Sequence, residues 1–421
     1  MSDENEVSLN VRLTGDQPVT EKEKAEGEEE DKNWYKPASA SETVMSCIVF
    51  VAFILAIAAY VLWDAPLWKT SVRVSEHLSH LPEIFKYYFW LFSGPLYEVY
   101  PFLPGLLFMA APRKDSALRF FFLFMLSYMI RNYVRAVVME GRPIYGDSNR
   151  IVQHAECSCS FGFPSGHSEG AATAYGIAIY ELVILVRKYR PRTKVLWSVA
   201  GAFVVANVMA SRLYYGQHSI PQVLIGALMG LSFISIGILF EHRLVPFFRR
   251  ILDGDFKPTA VVSLVMLAFL IGNAISWSFY FEDAMTSFDR YSSIRCNKCF
   301  ENNLRSFKRG SVMGFQYAGY GLGYFFGIFF LKGSYSGENH HVIKEHLSWT
   351  GMCRLLTMAV CHMPLILFYF LAGMLLADTY QLMYLAMLAF TLTGFTATYA
   401  FTLLTRRFNL ALHGDVTPPV Q

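Results

Sequence analysis

The chain has 421 residues, of which 54% are hydrophobic and only 16% charged, with 36 phenylalanines and a mean hydropathy of +0.32. This balance excludes an ordinary set of soluble domains and indicates a chain that lies mostly within a bilayer. A formal net charge of +3 gives no reason to expect a nucleic-acid partner, so the position of the charges matters more than their sum.

Residues 1–42 are polar and acidic, with the run Glu28-Glu29-Glu30-Asp31, and bury too little apolar surface to offset the entropy of ordering. They are expected to form a disordered cytosolic tail without the apolar core of a cleavable leader. Apolar runs then recur at 43–63, 94–112, 117–139, 168–187, 195–213, 221–240, 260–281, 312–331, 352–377 and 380–404. Each is near the roughly 20 residues a helix needs to cross the hydrocarbon core. The expected fold is an all-α, polytopic integral membrane bundle of about ten transmembrane helices. The segment 64–93, with Trp68, Phe85, Tyr87, Tyr88, Phe89 and Trp90, is aromatic but interrupted by charge and is expected to lie along the membrane surface. The chain divides into 43–112, a core at 113–245, a C-terminal bundle at 246–407 and a short cytosolic tail at 408–421.

Lys and Arg in short loops favour the cytosolic side. Arg113, Lys114 and Arg119, the cluster from Arg187 to Lys194, then Arg243, Arg249 and Arg250, and finally Arg406 and Arg407 fall on one face, which is expected to be the cytosol. The opposite, non-cytosolic face, expected to be lumenal, then receives 64–93, the 140–167 loop, the 214–220 turn and the 282–311 loop.

Three distant segments bring polar chemistry to that lumenal face. Arg135 ends the third span, and Arg142-Pro143 follows seven residues later; Pro164-Ser165-Gly166-His167 precedes the fourth span; Ser211-Arg212 ends the fifth, with His218 six residues beyond the arginine. Arginine presents a planar fork of donors suited to phosphate oxygens, and three at one membrane face are costly without a compensating anion or water. Ser165, Gly166 and His167 stand where a helix begins, so backbone amides and the helix dipole can face an anion. Two imidazoles supply a nucleophile and a proton donor. No carboxylate cluster or His/Cys set with metal-ligand spacing accompanies them, so the expected chemistry uses no metal and no other cofactor.

These segments, RAVVMEGRP, PSGH and SRLYYGQHSIPQ, resemble the three signature motifs of the type 2 phosphatidic acid phosphatase superfamily, Lys-x6-Arg-Pro, Pro-Ser-Gly-His and Ser-Arg-x5-His-x3-Asp. The resemblance covers about 135–222 and implies that His218 is a nucleophile forming a phosphohistidine and His167 the acid for the leaving group. It further implies that Arg135, Arg142, Ser165, Gly166 and Arg212 hold the phosphate. Two residues depart from the pattern: Arg135 stands for the usual Lys, and Gln222 for the Asp that orients the nucleophilic histidine. Glucose-6-phosphatases within the superfamily also carry Gln there.

The resemblance implies a phosphomonoester hydrolase acting on a lipid phosphate, a sphingoid-base phosphate or phosphatidate, in the endoplasmic reticulum membrane with a lumenal site, the plasma membrane being the other location. The alternative is a glucose-6-phosphatase that takes a sugar phosphate, favoured by Gln222, and a lower alternative is an inactive lipid-binding relative. Oligomeric state is not legible. Glu169 is open between tuning His167, binding a substrate hydroxyl and serving as an ordinary helix-start acid. Cys47, Cys353 and Cys361 read as packing residues within spans. Cys157, Cys159, Cys296 and Cys299 all map to the lumenal side, where one or two disulfides are expected to tie the two loops, with a zinc site as the alternative.

Overall fold

The computed structural model describes residues 39–94, 114–146, 150–152, 154, 161–181, 190–272, 275, 318–331, 379–396 and 399. Among them all regular structure is helical: α1 (Ala40–Ser79), α2 (Ile84–Ser93), α3 (Lys114–Val138), the single turn α4 (Pro143–Gly146), α5 (Gly166–Ile179), α6 (Pro191–Tyr214), α7 (Ile220–Leu239), α8 (Glu241–Leu252), α9 (Phe256–Gly272), α10 (Ala318–Phe330) and α11 (Thr379–Phe395). The protein is an all-α polytopic membrane bundle. Four of the described helices, α1, α3, α6 and α7, are long and apolar enough to cross a membrane, and five spans result if α8 and α9, bent by 108° at their junction, count as one. The spans read at 94–112 and 352–377 lie outside the described residues, as do Cys157, Cys159, Cys296 and Cys299.

α1 begins on a capping box in which the Ser39 hydroxyl accepts from Glu42 N and the Glu42 carboxylate accepts from Ser39 N. Its first span was read to end at 63. The helix does break there, with Trp63 at φ −127°, ψ 28° and Pro66 inside the next turn, because proline lacks the amide hydrogen and its ring crowds the carbonyl four residues back. It then continues to Ser79, so the interfacial segment read from sequence is in part a second helical arm. That arm braces the two loops at the far end of the bundle: Ser71 Oγ accepts from Ile220 N (2.9 Å) and Ser79 Oγ from Val152 N (3.0 Å). Cys47, read as a packing residue, is exposed on α1.

α7 is the axis of the bundle and packs on α5, α1 and α3. Its approach to α5 depends on two glycines one turn apart. A Cβ on Gly226 would sit 2.5 Å from Ser165 O, and one on Gly230 would sit 2.6 Å from Glu169 O, so backbones meet where side chains would hold them apart. The apolar core continues through Phe120, Phe121 and Phe124 of α3 to Phe248 of α8 and Phe325 of α10. Arg119, counted from sequence among the cytosolic loop charges, is instead fully buried. It pairs with Glu181 (3.6 Å) and Glu241 (3.5 Å) and donates to Gly237 O (3.0 Å). A guanidinium removed from water needs such a set of acceptors, and this one ties α3, α7 and α8 about 24 Å along the helix from Arg135.

Candidate active site

The first turns of α5 and α7 and the last turns of α3 and α6 meet at one end of the bundle. α5 starts on Ser165, whose hydroxyl accepts from Ser168 N (3.4 Å) and from Ser168 Oγ (3.0 Å); its own amide donates to Gln222 O (3.0 Å). Ser165 was expected to contribute its amide to an anion nest. It serves as the helix cap and the α5–α7 tie, and the first-turn amides that follow, at Gly166 and His167, are the ones without an intrahelical acceptor. Gly166 has a steric reason as well: a Cβ there would stand 2.7 Å from Arg131 Nη1 and 3.2 Å from Arg135 Nη2.

α6 stops at a tight turn in which Gly216 adopts φ 61°, a left-handed conformation open to glycine, and Gln217 N donates back to Arg212 O (3.0 Å). This presents His218 immediately before the capping box of α7, where Ser219 Oγ accepts from Gln222 N (3.4 Å) and Gln222 Oε1 accepts from Ser219 N (3.1 Å). His218 Nδ1 lies 2.8 Å from Gly162 O and 3.2 Å from Gln222 Oε1. Both neighbours only accept, so Nδ1 carries the hydrogen and Nε2 keeps its lone pair. That nitrogen faces Arg142 Nη1 at 3.0 Å.

Arg142 is itself fixed. It is buried, and it donates to Gln217 O (2.7 Å) and Phe161 O (3.1 Å), so one guanidinium links the loops that precede α5 and α7. Arg135 donates to Pro164 O (2.9 Å), the carbonyl that follows the cis Phe163–Pro164 bond. Arg212 is buried at the end of α6.

Both imidazoles stand outside the spans, His167 ahead of 168–187 and His218 in the turn between α6 and α7. Burial, then the guanidiniums of Arg142, Arg212 and Arg135, then the other imidazole, hold His218 well below the ordinary histidine value. Burial, then Arg212, Arg142, Arg131 and Arg135, does the same to His167. Each histidine therefore lies within the field of the same arginines, and a dianion between them would reverse the balance.

The geometry thus brings together Arg135, Arg142, Ser165, Gly166, His167, Arg212, His218 and Gln222, all singled out from sequence. Three contributors were missed. Arg131 is buried one turn before Arg135, pairs with Glu169 (3.1 Å) and lies over the Tyr128 ring (4.0 Å). Its four-residue spacing from Arg135 was the available signal. With Ser127 also donating to it, Glu169 is committed to α3 rather than to a substrate. Gly162 is the second: a Cβ there would lie 2.5 Å from Gln222 Oε1 and 2.7 Å from Nε2. Glu140 is the third, and its carboxyl accepts from the Tyr60 hydroxyl of α1 (3.0 Å).

The segment that holds these residues also carries a family match. Residues 116–246 match the model of the PAP2 superfamily. The phosphatidylglycerophosphatase B of Bacillus subtilis (strain 168) is 34% identical over 91 residues, 22% of this chain and 44% of that protein. The glucose-6-phosphatase catalytic subunit 1 of Mus musculus is 28% identical over 123 residues, 28% of this chain and 32% of that protein. The chain thus spans less than half the length of either relative. A crystal structure of a transmembrane PAP2 type phosphatidylglycerolphosphate phosphatase from Bacillus subtilis aligns at a TM-score of 0.38 and 21% identity, covering 47% of this chain and 96% of the other.

Proposed function

We propose, for a chain that carries a PAP2 superfamily domain over residues 116–246, that it is a membrane phosphatase hydrolysing a lipid phosphomonoester through a phosphohistidine. The observation that carries the reading is the fixed state of His218: Nδ1 anchored on Gly162 O and Gln222 Oε1, and Nε2 facing Arg142 at 3.0 Å. A phosphoryl group entering between Nε2 and Arg142 would meet a nucleophilic lone pair on one side and cationic donors on the other.

In the first step the Nε2 lone pair attacks phosphorus, the P–O bond to the alcohol breaks, and the leaving oxygen takes a proton from His167. In the second, water attacks phosphorus, gives its proton to His167, and the P–N bond breaks to return His218 and release inorganic phosphate. The net change is monoester plus water to alcohol plus phosphate. Arg135, Arg142 and Arg212 and the α5 amides bind the non-bridging oxygens, where charge stabilisation contributes most.

The lipid class is supported by the site standing at the ends of helices apolar enough to cross a membrane, α3, α6 and α7, and by the named activity of the Bacillus relative. Glucose 6-phosphate is the second reading, supported by Gln222 and by the mouse relative. The location we assign is the endoplasmic reticulum with the site in the lumen. Purified protein and its His218→Ala and His167→Ala variants, assayed on phosphatidate, a sphingoid-base phosphate and glucose 6-phosphate, decide among these. Labelled substrate is expected to leave acid-labile, base-stable phosphate on the wild type and none on His218→Ala. Equal turnover by His218→Ala would reject the nucleophile.

A further inference from the structure

Gln222 holds His218 with a neutral amide, which fixes a tautomer but supplies no countercharge to an imidazole that becomes cationic. The amide has a second end. Oε1 accepts from His218 Nδ1 and Ser219 N, and Nε2 donates to Gly141 O (2.9 Å); these three contacts fix which end is which. A second Nε2 hydrogen remains, and the Glu140 carboxyl stands beside that amide, which favours its ionised form. Glu140 Oε2 accepts from Tyr60, whereas its buried Oε1 takes no hydrogen bond among the described residues.

The backbone joins the same three residues. Glu140 O accepts from Gly162 N (2.7 Å), and Gly162 O is the acceptor for His218 Nδ1 (2.8 Å). Glu140, Gly162, Gln222 and His218 therefore form one connected unit, and the absent side chain at 162 is what lets the amide sit inside it.

We propose that Glu140 is a positioning residue for His218, its carboxylate acting through the Gln222 amide to hold Oε1 toward the imidazole and to balance the charge that His218 gains on phosphorylation. This rests on the phosphatase reading above. The groups facing the carboxyl are Tyr60 and the exposed Asp64 on α1 and the Gln222 amide on α7, with His218 and Arg142 beyond the amide. Burial raises the Glu140 carboxyl to about 7, against the Tyr60 hydrogen bond and the neighbouring Gln222 amide and with the Asp64 charge. The countercharge is consequently present above neutral pH and lost below it.

Glu140→Gln keeps the shape and removes the charge. It is expected to lower kcat by about 10- to 100-fold, the range for outer partners of a reacting group, to leave KM nearly unchanged, and to abolish the fall in rate below pH 7. Adding Gln222→Asp to Glu140→Gln puts a carboxylate directly on Nδ1 and is expected to recover most of the lost kcat. A raised KM at constant kcat would instead make Glu140 a substrate contact and overturn the proposal. So would a wild-type kcat and pH profile in Glu140→Gln, a result that leaves the phosphatase reading standing.

Should the wild type turn over no phosphomonoester, the phosphatase reading fails, and nitrogen-15 histidine NMR still decides this one. The His218 ring signal, identified by its loss in His218→Ala, shifts in Glu140→Gln if the amide link exists and stays in place if it does not.

Discussion

Gly162→Ala tests the active-site geometry at one methyl group. The added Cβ would lie 2.5 Å from Gln222 Oε1, 2.7 Å from Nε2 and 2.8 Å from Gly141 O. Ordinary contact for such pairs is about 3.5 Å, so the amide must retreat by about 1 Å or the loop must move. Gln222 has little freedom, since Oε1 is held by Ser219 N and Nε2 by Gly141 O. A shift of that size stretches the 3.2 Å contact with His218 Nδ1 beyond useful hydrogen-bond length, and a misplacement of about 1 Å costs on the order of 10²-fold in rate. Overpacking itself costs about 1–3 kcal/mol of stability. The expected result is a folded protein, a few degrees less heat-stable, with kcat down about 100-fold and KM little changed; thermal unfolding in detergent and steady-state kinetics read both. A variant with wild-type kcat would refute the claim that Gln222 holds the reactive imidazole.

Arg142→Lys keeps the charge but cannot reach Gln217 O, Phe161 O and Nε2 of His218 together, so kcat should fall by about 10²- to 10³-fold, as for loss of an oxyanion donor; steady-state rates at saturating substrate check it. Arg131→Met leaves Glu169 buried and unpaired and should destabilise by about 3–5 kcal/mol, with much of that recovered in Arg131→Met, Glu169→Gln; denaturant or thermal unfolding measures both. Because burial and then the arginines hold His167 and His218 below the ordinary histidine value, an oxyanion should raise them, so binding takes up protons and weakens as pH rises. Calorimetry of sulfate, which remains a dianion throughout, in buffers of different ionisation enthalpy shows this proton uptake, and heats independent of buffer would count against it.

The separation of span from loop was legible because a bilayer imposes length and apolarity on each span, and α3, α6 and α7 lie within a few residues of the runs at 117–139, 195–213 and 221–240. The residues of the three motifs were legible because phosphate asks for a recognisable set: guanidiniums, a glycine at a helix start and imidazoles. Arg119 was misread because hydropathy counts a charge without its partners; only the arrival of Glu181 and Glu241 from other helices makes its burial tolerable.

What the order of residues determined by itself is the membrane-spanning helical class and the chemical types at the site, since both follow from local composition and spacing. Tertiary structure decided how those types are used. Ser165 turns its amide to Gln222 O, Glu169 pairs with Arg131, and Glu140 reaches the neighbourhood of a histidine 78 positions later. The first of those pairings depends on Gly226 and Gly230 letting α5 and α7 close together. Such an approach is set by helix packing across the bundle, and no window along the chain contains it.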